Sequence, residues 1–223
     1  MRTLTVSQVH MTRLFLLTIC LLASACGFVS AAQITISNLG GLHPITDSSG
    51  ELVPIGSGFV QIGTISLTDA EVIASPSDRV GLEAAFEVFG SSVAFGAGGS
   101  GGFFSASITA PLDTGNPLIG QNIYIVAGDG ADIPDSNDIW IFKSTLSFED
   151  DSPDPFSETI SLDYALEQSA GTVLVGTPVN TLVPLAGDSF DGSEMVAFIP
   201  EPDVALLSAL ACILLWCRTR RRN

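Results

Sequence analysis

Past residue 32 the chain is written in short runs where apolar and polar side chains alternate. In "QITISN" Ile34 and Ile36 stand between Gln33, Thr35 and Ser37, the two-residue period of a strand with one face buried. Runs of the same character follow as "FVQIGTISLT", "GFFSASITA", "NIYIVAGD", "DIWIFKST", "ETISLDYAL" and "GTVLVGT". Turn formers separate them, among them "DSSG" at 47–50, "DTGNP" at 113–117 and "VGTP" at 175–178. Seven or more short strands punctuated this way predict an all-β domain, an antiparallel sandwich or a barrel.

One segment departs from the two-residue period. In "SPSDRVGLEAAFEVFG", residues 75–90, Leu82, Ala85, Phe86 and Phe89 recur at helical spacing, with Ser77 or Asp78 as a cap and Gly90 as a stop. The spacing predicts one short helix that lays its aromatic side over the sheet, so its phenylalanines read as core.

The two ends have a different composition from the middle. "LFLLTICLLASAC", residues 14–26, follows a basic start and precedes the small residues Ser30 and Ala32. That order reads as a secretory signal peptide cut before Gln33, and 13 apolar residues are too few to span a bilayer comfortably. Met11 begins an adequate signal by itself, so translation from Met1 or from Met11 both fit, and a lipoprotein cut at Cys26 is the competing reading. At the other end residues 204–217 carry no charge over 14 positions, about 21 Å as a helix. Pro202 suits the first helical turn, and Arg218, Arg220, Arg221 and Arg222 suit the cytoplasmic end of a transmembrane helix.

Pro200-Glu201-Pro202, an apolar helix and a terminal arginine cluster together resemble the PEP-CTERM sorting signal of Gram-negative bacteria. The likeness covers roughly the last 24 residues, and Asp203 stands where the family most often has a small or hydroxyl residue. It implies recognition by an exosortase, removal of the helix, and delivery to the cell surface or the exopolysaccharide matrix. A plain tail anchor with "PEP" at its boundary is the alternative. The order of the middle pieces also resembles secreted PEP-CTERM proteins of Verrucomicrobia and their relatives: a "DSSG" turn, an aromatic helix, "QNIYI", "WIF" after a loop, and "SAGTVLVGT". That family carries no assigned chemistry.

Charge sharpens the division between ends and middle. Between residues 33 and 199 only Arg79 and Lys143 oppose 22 Asp and Glu, a formal charge of 2 − 22 = −20. Such a surface repels phosphate, which excludes nucleic acid as a partner class. All four cysteines lie in the two apolar runs, Cys20 and Cys26 in one and Cys212 and Cys217 in the other. The exported part therefore has neither a disulfide framework nor a thiol nucleophile.

Candidate chemistry in the middle is sparse. Asp129, Asp132, Asp135, Asn137 and Asp138 crowd the loop between two strands, and oxygen-rich loops are what Ca²⁺ takes. Their spacing fails the EF-hand pattern, although "FEDDSPDPF" at 148–156 offers further oxygens. Tyr124 and Trp140 form a candidate sugar platform, since alternation in "IYIV" and "IWIF" buries either these rings or the flanking isoleucines. "GAGGSGG" at 96–102 fits a dinucleotide fingerprint, but a strand-like run ending in proline follows where a helix is required. Gly98-x-Ser100-x-Gly102 fits a nucleophile elbow, yet His43 is the one histidine past the signal region and lies out of the expected order. Two carboxylates suffice for glycoside hydrolysis, but the middle is poor in amphipathic aromatics.

The reading is a signal peptide at 1–32, an acidic all-β domain at 33–196 with one short helix, and a sorting signal with a transmembrane helix at 197–223. The expected role is that of an exported, non-enzymatic surface or matrix protein of a Gram-negative bacterium, held briefly in the inner membrane. Its expected partners are signal peptidase, an exosortase and exopolysaccharide. A carbohydrate-binding module and a tail-anchored periplasmic protein are the alternatives.

Overall fold

A computed structural model describes residues 31–41, 43–151, 154–163, 171–185 and 188–197. The signal region, the Pro200-Glu201-Pro202 motif, the C-terminal apolar run and its arginines lie outside the described residues. Among the described residues no helix is long and apolar enough to cross a membrane.

Among the described residues the chain is mostly β-strand with two short helices, consistent with an all-β sandwich. All seven runs picked out by alternation form strands: β1 (Ala32–Gly41), β3 (Phe59–Ile65), β5 (Ser105–Ala110), β6 (Asn122–Gly128), β7 (Asp138–Ser147), β8 (Ser157–Asp163) and β9 (Gly171–Val175). Five further strands join them: β2 (Ile45–Thr46), β4 (Phe86–Val93), β10 (Thr177–Leu185), β11 (Asp188–Glu194) and β12 (Val196–Ala197).

Three sheets result. The largest runs β12-β7-β6-β3-β4, with β9 also against β7. A second runs β5-β1-β8 and a third β10-β11-β2. The expectation of purely antiparallel pairing is corrected here, because β1 and β8 are parallel and so are β11 and β2. Parallel neighbours come from distant parts of the chain, so no local turn signals them.

In the β5-β1-β8 sheet the alternation resolves into two faces. Ile34, Ile36, Ile108 and Ile160 point inward and are buried. On the other face Thr35 is flanked by Ser107 and Thr159, and Ser37 by Ser105 and Ser161. The result is an uncharged grid of hydroxyls, with Thr35 and Ser107 2.8 Å apart. The inward residues share one apolar cluster with Val60, Ile62, Ile123, Ile125, Trp140 and Phe142 of the large sheet.

The opposite face of the large sheet is also covered. Phe59, Tyr124, Val126, Ile139 and Ile141 pack there against Val72 and Leu82 from the helices and Ile133 from a loop. Here the expectation of one helix is corrected to two. Helix α1 (Asp69–Ala74) starts at a capping box: Thr68 accepts from the Glu71 amide, and the Glu71 carboxylate accepts from the Thr68 amide. Helix α2 (Arg79–Ala85) is capped by Asp78, as its sequence predicts. It ends at Ala85, and Phe86 and Phe89 belong to β4, paired with Ile65 and Ile62 of β3. Their three-residue spacing imitates a helix because the two rings face opposite sides of the sheet, Phe86 in the helix-covered cluster and Phe89 in the cluster shared with β1, and both sides are buried. Gly90 is not a helix stop but a strand residue at φ +72°, where a side chain would run into Ile108.

Candidate functional site

Among the described residues, the candidate platform and the candidate calcium ligands do not come together as one site. Tyr124 and Trp140 lie on opposite faces of the large sheet and are 4% and 1% exposed. The expected platform of these two rings is corrected by that burial. The choice between buried rings and buried isoleucines presupposed one open face, whereas this sheet is covered on both. Trp140 stacks on Phe142 with the ring planes 8° apart.

The acidic loop between β6 and β7 organises its own backbone. Asp129 Oδ1 accepts from the amides of Asn137 at 2.7 Å and Asp138 at 2.9 Å. Asp132 Oδ1 accepts from the Asp135 amide at 2.9 Å, and Asp138 Oδ2 accepts from the Ser48 amide at 3.0 Å. The Arg79 guanidinium donates to the Pro134 carbonyl at 3.1 Å, tying α2 to the same loop. Among the described residues no three His, Cys, Asp or Glu side chains come together to hold a metal. Three of the carboxylates expected to bind Ca²⁺, those of Asp129, Asp132 and Asp138, accept backbone N–H groups.

The glycine run at 96–102 connects β4 to β5, with the Gly96 amide bonded to the Phe103 carbonyl and the Gly102 amide to the Val53 carbonyl. The run itself holds a short 3₁₀ turn (Ala97–Gly99) and leads into strand β5, not into the helix a pyrophosphate site requires.

His43 Nε2 does lie 2.7 Å from a serine hydroxyl, that of Ser193. Both residues are buried, and Ser193 sits where β11 pairs with β2, so the pair staples two strands out of reach of a substrate. Beside it Asn38 is a buried hub. Its amide donates to the carbonyls of His43 and Gly102, both at 2.9 Å, and its Oδ1 accepts from the Phe104 amide at 2.7 Å.

Among the described residues, a polar group open to a ligand lies elsewhere. Lys143, the single lysine of the chain, projects from β7 on the helix-covered face beside its cross-strand neighbour Tyr124. Its ammonium donates to Asp69 Oδ1 at 2.7 Å and Oδ2 at 3.0 Å, and lies 5.9 Å from the Tyr124 ring centroid. These three border an open cleft of about 320 Å³, closed by residues 64–68 at the end of β3 and by Gln121 and Asn122 at the start of β6.

No family model, curated protein or solved structure matches the chain. What the cleft does chemically therefore rests on its own electrostatics.

The hydrogen bond from Lys143 to the Asp69 carboxylate raises the lysine pKa against a smaller opposing effect of burial. Burial raises the Tyr124 phenol as well, with the Lys143 charge working the other way. Both groups thus hold their protons more firmly than usual. A lysine nucleophile or base needs its pKa lowered, and so does a tyrosine base. The arrangement presents donors and an acceptor held on each other.

Sequence reasoning passed over this group. A lone lysine in a segment of 22 acids was a visible signal. Its partner 74 residues away was not.

Proposed function

We propose that this chain is an exported, non-enzymatic surface or matrix-associated protein of a Gram-negative bacterium. Signal peptidase removes residues 1–32. The C-terminal apolar segment then holds the chain in the inner membrane with Arg218, Arg220, Arg221 and Arg222 on the cytoplasmic side. An exosortase recognises Pro200-Glu201-Pro202 and releases residues 33–196, an acidic β-sandwich, toward the surface or the exopolysaccharide matrix.

The observation that carries this reading is the fixed order of motif, apolar helix and arginine cluster at one end of a chain whose other end has the layout of an export signal. The distribution of charge supports it. Six of the eight basic residues sit in the two end segments, so the address signals and the acidic domain are separate parts of the chain. The raised pKa values of Lys143 and Tyr124 favour a binding role for the domain over a catalytic one.

Intact mass and cell fraction of the protein expressed in its own host test the proposal, beside a variant with Pro200, Glu201 and Pro202 replaced by alanine. The expected result is a wild type trimmed at both ends at the surface or in the medium, with the variant retained in the inner membrane. If both proteins keep the tail, the helix is a plain anchor and the protein is a membrane-tethered periplasmic one.

A further inference from the structure

We propose that the cleft between Lys143, Asp69 and Asn122 binds a neutral saccharide unit through hydrogen bonds to its hydroxyls. The inference goes beyond the sorting reading and does not depend on it, since the cleft is present whether or not the tail is removed.

Size and polarity come first. About 320 Å³ lies at the lower end of the ~300–1,000 Å³ typical of small-molecule sites. Of the ten residues lining the cleft, Ile65 and Leu67 are the aliphatic ones, and the rest carry hydroxyl, carboxamide, carboxylate or ammonium groups. An apolar ligand would leave those groups without partners in place of water.

Charge then narrows the class. Lys143 and Asp69 cancel each other across 2.7 Å, so the cleft is locally neutral inside a domain of formal charge −20. An anionic ligand is repelled by the domain and finds its one counter-ion already taken. A small cation meets many exposed carboxylates and no reason to choose this one. A hydroxylated neutral ligand encounters neither obstacle.

Hydrogen-bond chemistry matches a polyol. Each sugar hydroxyl both donates and accepts, and the cleft offers both partners side by side. The Asp69 carboxylate accepts, the Lys143 ammonium donates, and the carboxamides of Gln121 and Asn122 do both. Neither carboxamide is engaged with another side chain among the described residues. The ammonium and carboxylate are already fixed on each other, so little side-chain freedom is lost on binding.

The backbone at the rim is irregular where such a site requires it. The β6–β7 ladder shifts register between Asn122, which faces Ser147, and Tyr124, which faces Lys143. A shift of this kind re-aims a side chain at a strand end, and such irregularities concentrate beside functional sites. Because Tyr124 lies beneath Lys143 and is buried, ring stacking contributes little. Hydrogen bonds in competition with water then give a dissociation constant on the order of 0.1–1 mM.

The test is calorimetric titration of full-length protein, purified in a detergent without a sugar headgroup, with cellotetraose, maltotetraose, mannotetraose and tetragalacturonate. The expected result is that at least one neutral tetrasaccharide binds more tightly than the acidic one. Asn122→Ala and Lys143→Met should each weaken it by about tenfold, ~1.4 kcal/mol, while Asp113→Ala in a remote turn leaves it unchanged. Asn122 lies at the rim, so Asn122→Ala should keep the wild-type melting temperature. If it does not, Gln121→Ala takes its place.

The proposal is overturned if none of the three neutral sugars binds up to about 10 mM. It is equally overturned if tetragalacturonate binds best, or if binding survives the rim and lysine variants undiminished. None of these results bears on where the protein is sorted.

Discussion

Replacing Asp129 separates two roles that a carboxylate in an oxygen-rich loop can have. Its Oδ1 receives the amides of Asn137 and Asp138 at 2.7 and 2.9 Å, and hydrogen bonds to a charged acceptor contribute about 1.5–3 kcal/mol each when well buried. The residue is half-buried, which discounts that figure. Asp129→Ala should therefore lower stability by about 2 kcal/mol, or about 4–8 °C of melting temperature in a domain of this size. Asp129→Asn keeps an oxygen for the two amides and loses the charge and the long 3.4 Å bond that Oδ2 accepts from the Asn137 carboxamide, so it should retain more than half of that stability. The assay is thermal unfolding followed by circular dichroism, with wild type and both variants in chelator and in millimolar calcium. If the carboxylate caps the loop, the order is wild type, Asn, Ala, and calcium moves none of the three. If Asp129→Asn falls as far as Asp129→Ala and calcium raises the wild type alone, the loop is a metal site and the capping argument is wrong.

Two further substitutions probe the same logic of buried and capped polar groups. Asn38→Ala removes three hydrogen bonds at a fully buried position and should cost ~3 kcal/mol or more, read as a lower denaturant midpoint at constant slope. A loss under ~1 kcal/mol would mean that water replaces the amide. Burial alone would raise the Asp47 carboxyl, but hydrogen bonds from the Ser49 hydroxyl and the amides of Glu51, Ser49 and Gly50 hold it below its ordinary 3.8. A carboxyl lowered in the folded state stabilises fully above its unfolded pKa and loses that contribution as pH falls through the folded one. Asp47→Asn should therefore melt below wild type at neutral pH, with the gap closing as the pH falls below the ordinary 3.8 and through the lowered folded-state value. A gap that stays constant into acid would show that the carboxylate charge contributes nothing.

What the sequence made legible was whatever depends on neighbours a few residues apart. Seven strands came from two-residue alternation, and the cap at Asp78 from a single residue before a helical run. Helix α1 was equally visible in Thr68-x-x-Glu71, but the strand-like "GTISLT" before it drew those residues into β3. Strands β10 and β11 escaped because Pro178 and Pro184 argue against a central strand and "DSFDGSE" shows no alternation. Strand β4 was hidden because Phe86 and Phe89 bury themselves on opposite faces of the sheet, which sets two core phenylalanines three apart. The site was less legible still. Lys143 stood out by composition, yet nothing local to β7 points to Asp69, and burial of both Tyr124 and Trp140 depends on layers on either side of the sheet.

The acidity of the domain and its fold are reconciled at short range. With two cations against 22 acids, ion pairing has no capacity to neutralise the surface, and Lys143 is already committed to Asp69. Asp47, Asp78, Asp129, Asp132, Asp138 and Asp151 instead accept backbone amides in turns, at a helix start and between loops. Each such bond satisfies an N–H that the strands and helices leave without a partner at their ends, and salt screens it far less than a long-range repulsion. The carboxylates that make the domain −20 are thus partly the ones that close its turns. That arrangement closes the turns of an acidic surface with backbone amides, and among the described residues the cleft at Lys143 differs from it in pairing a carboxylate with a cation.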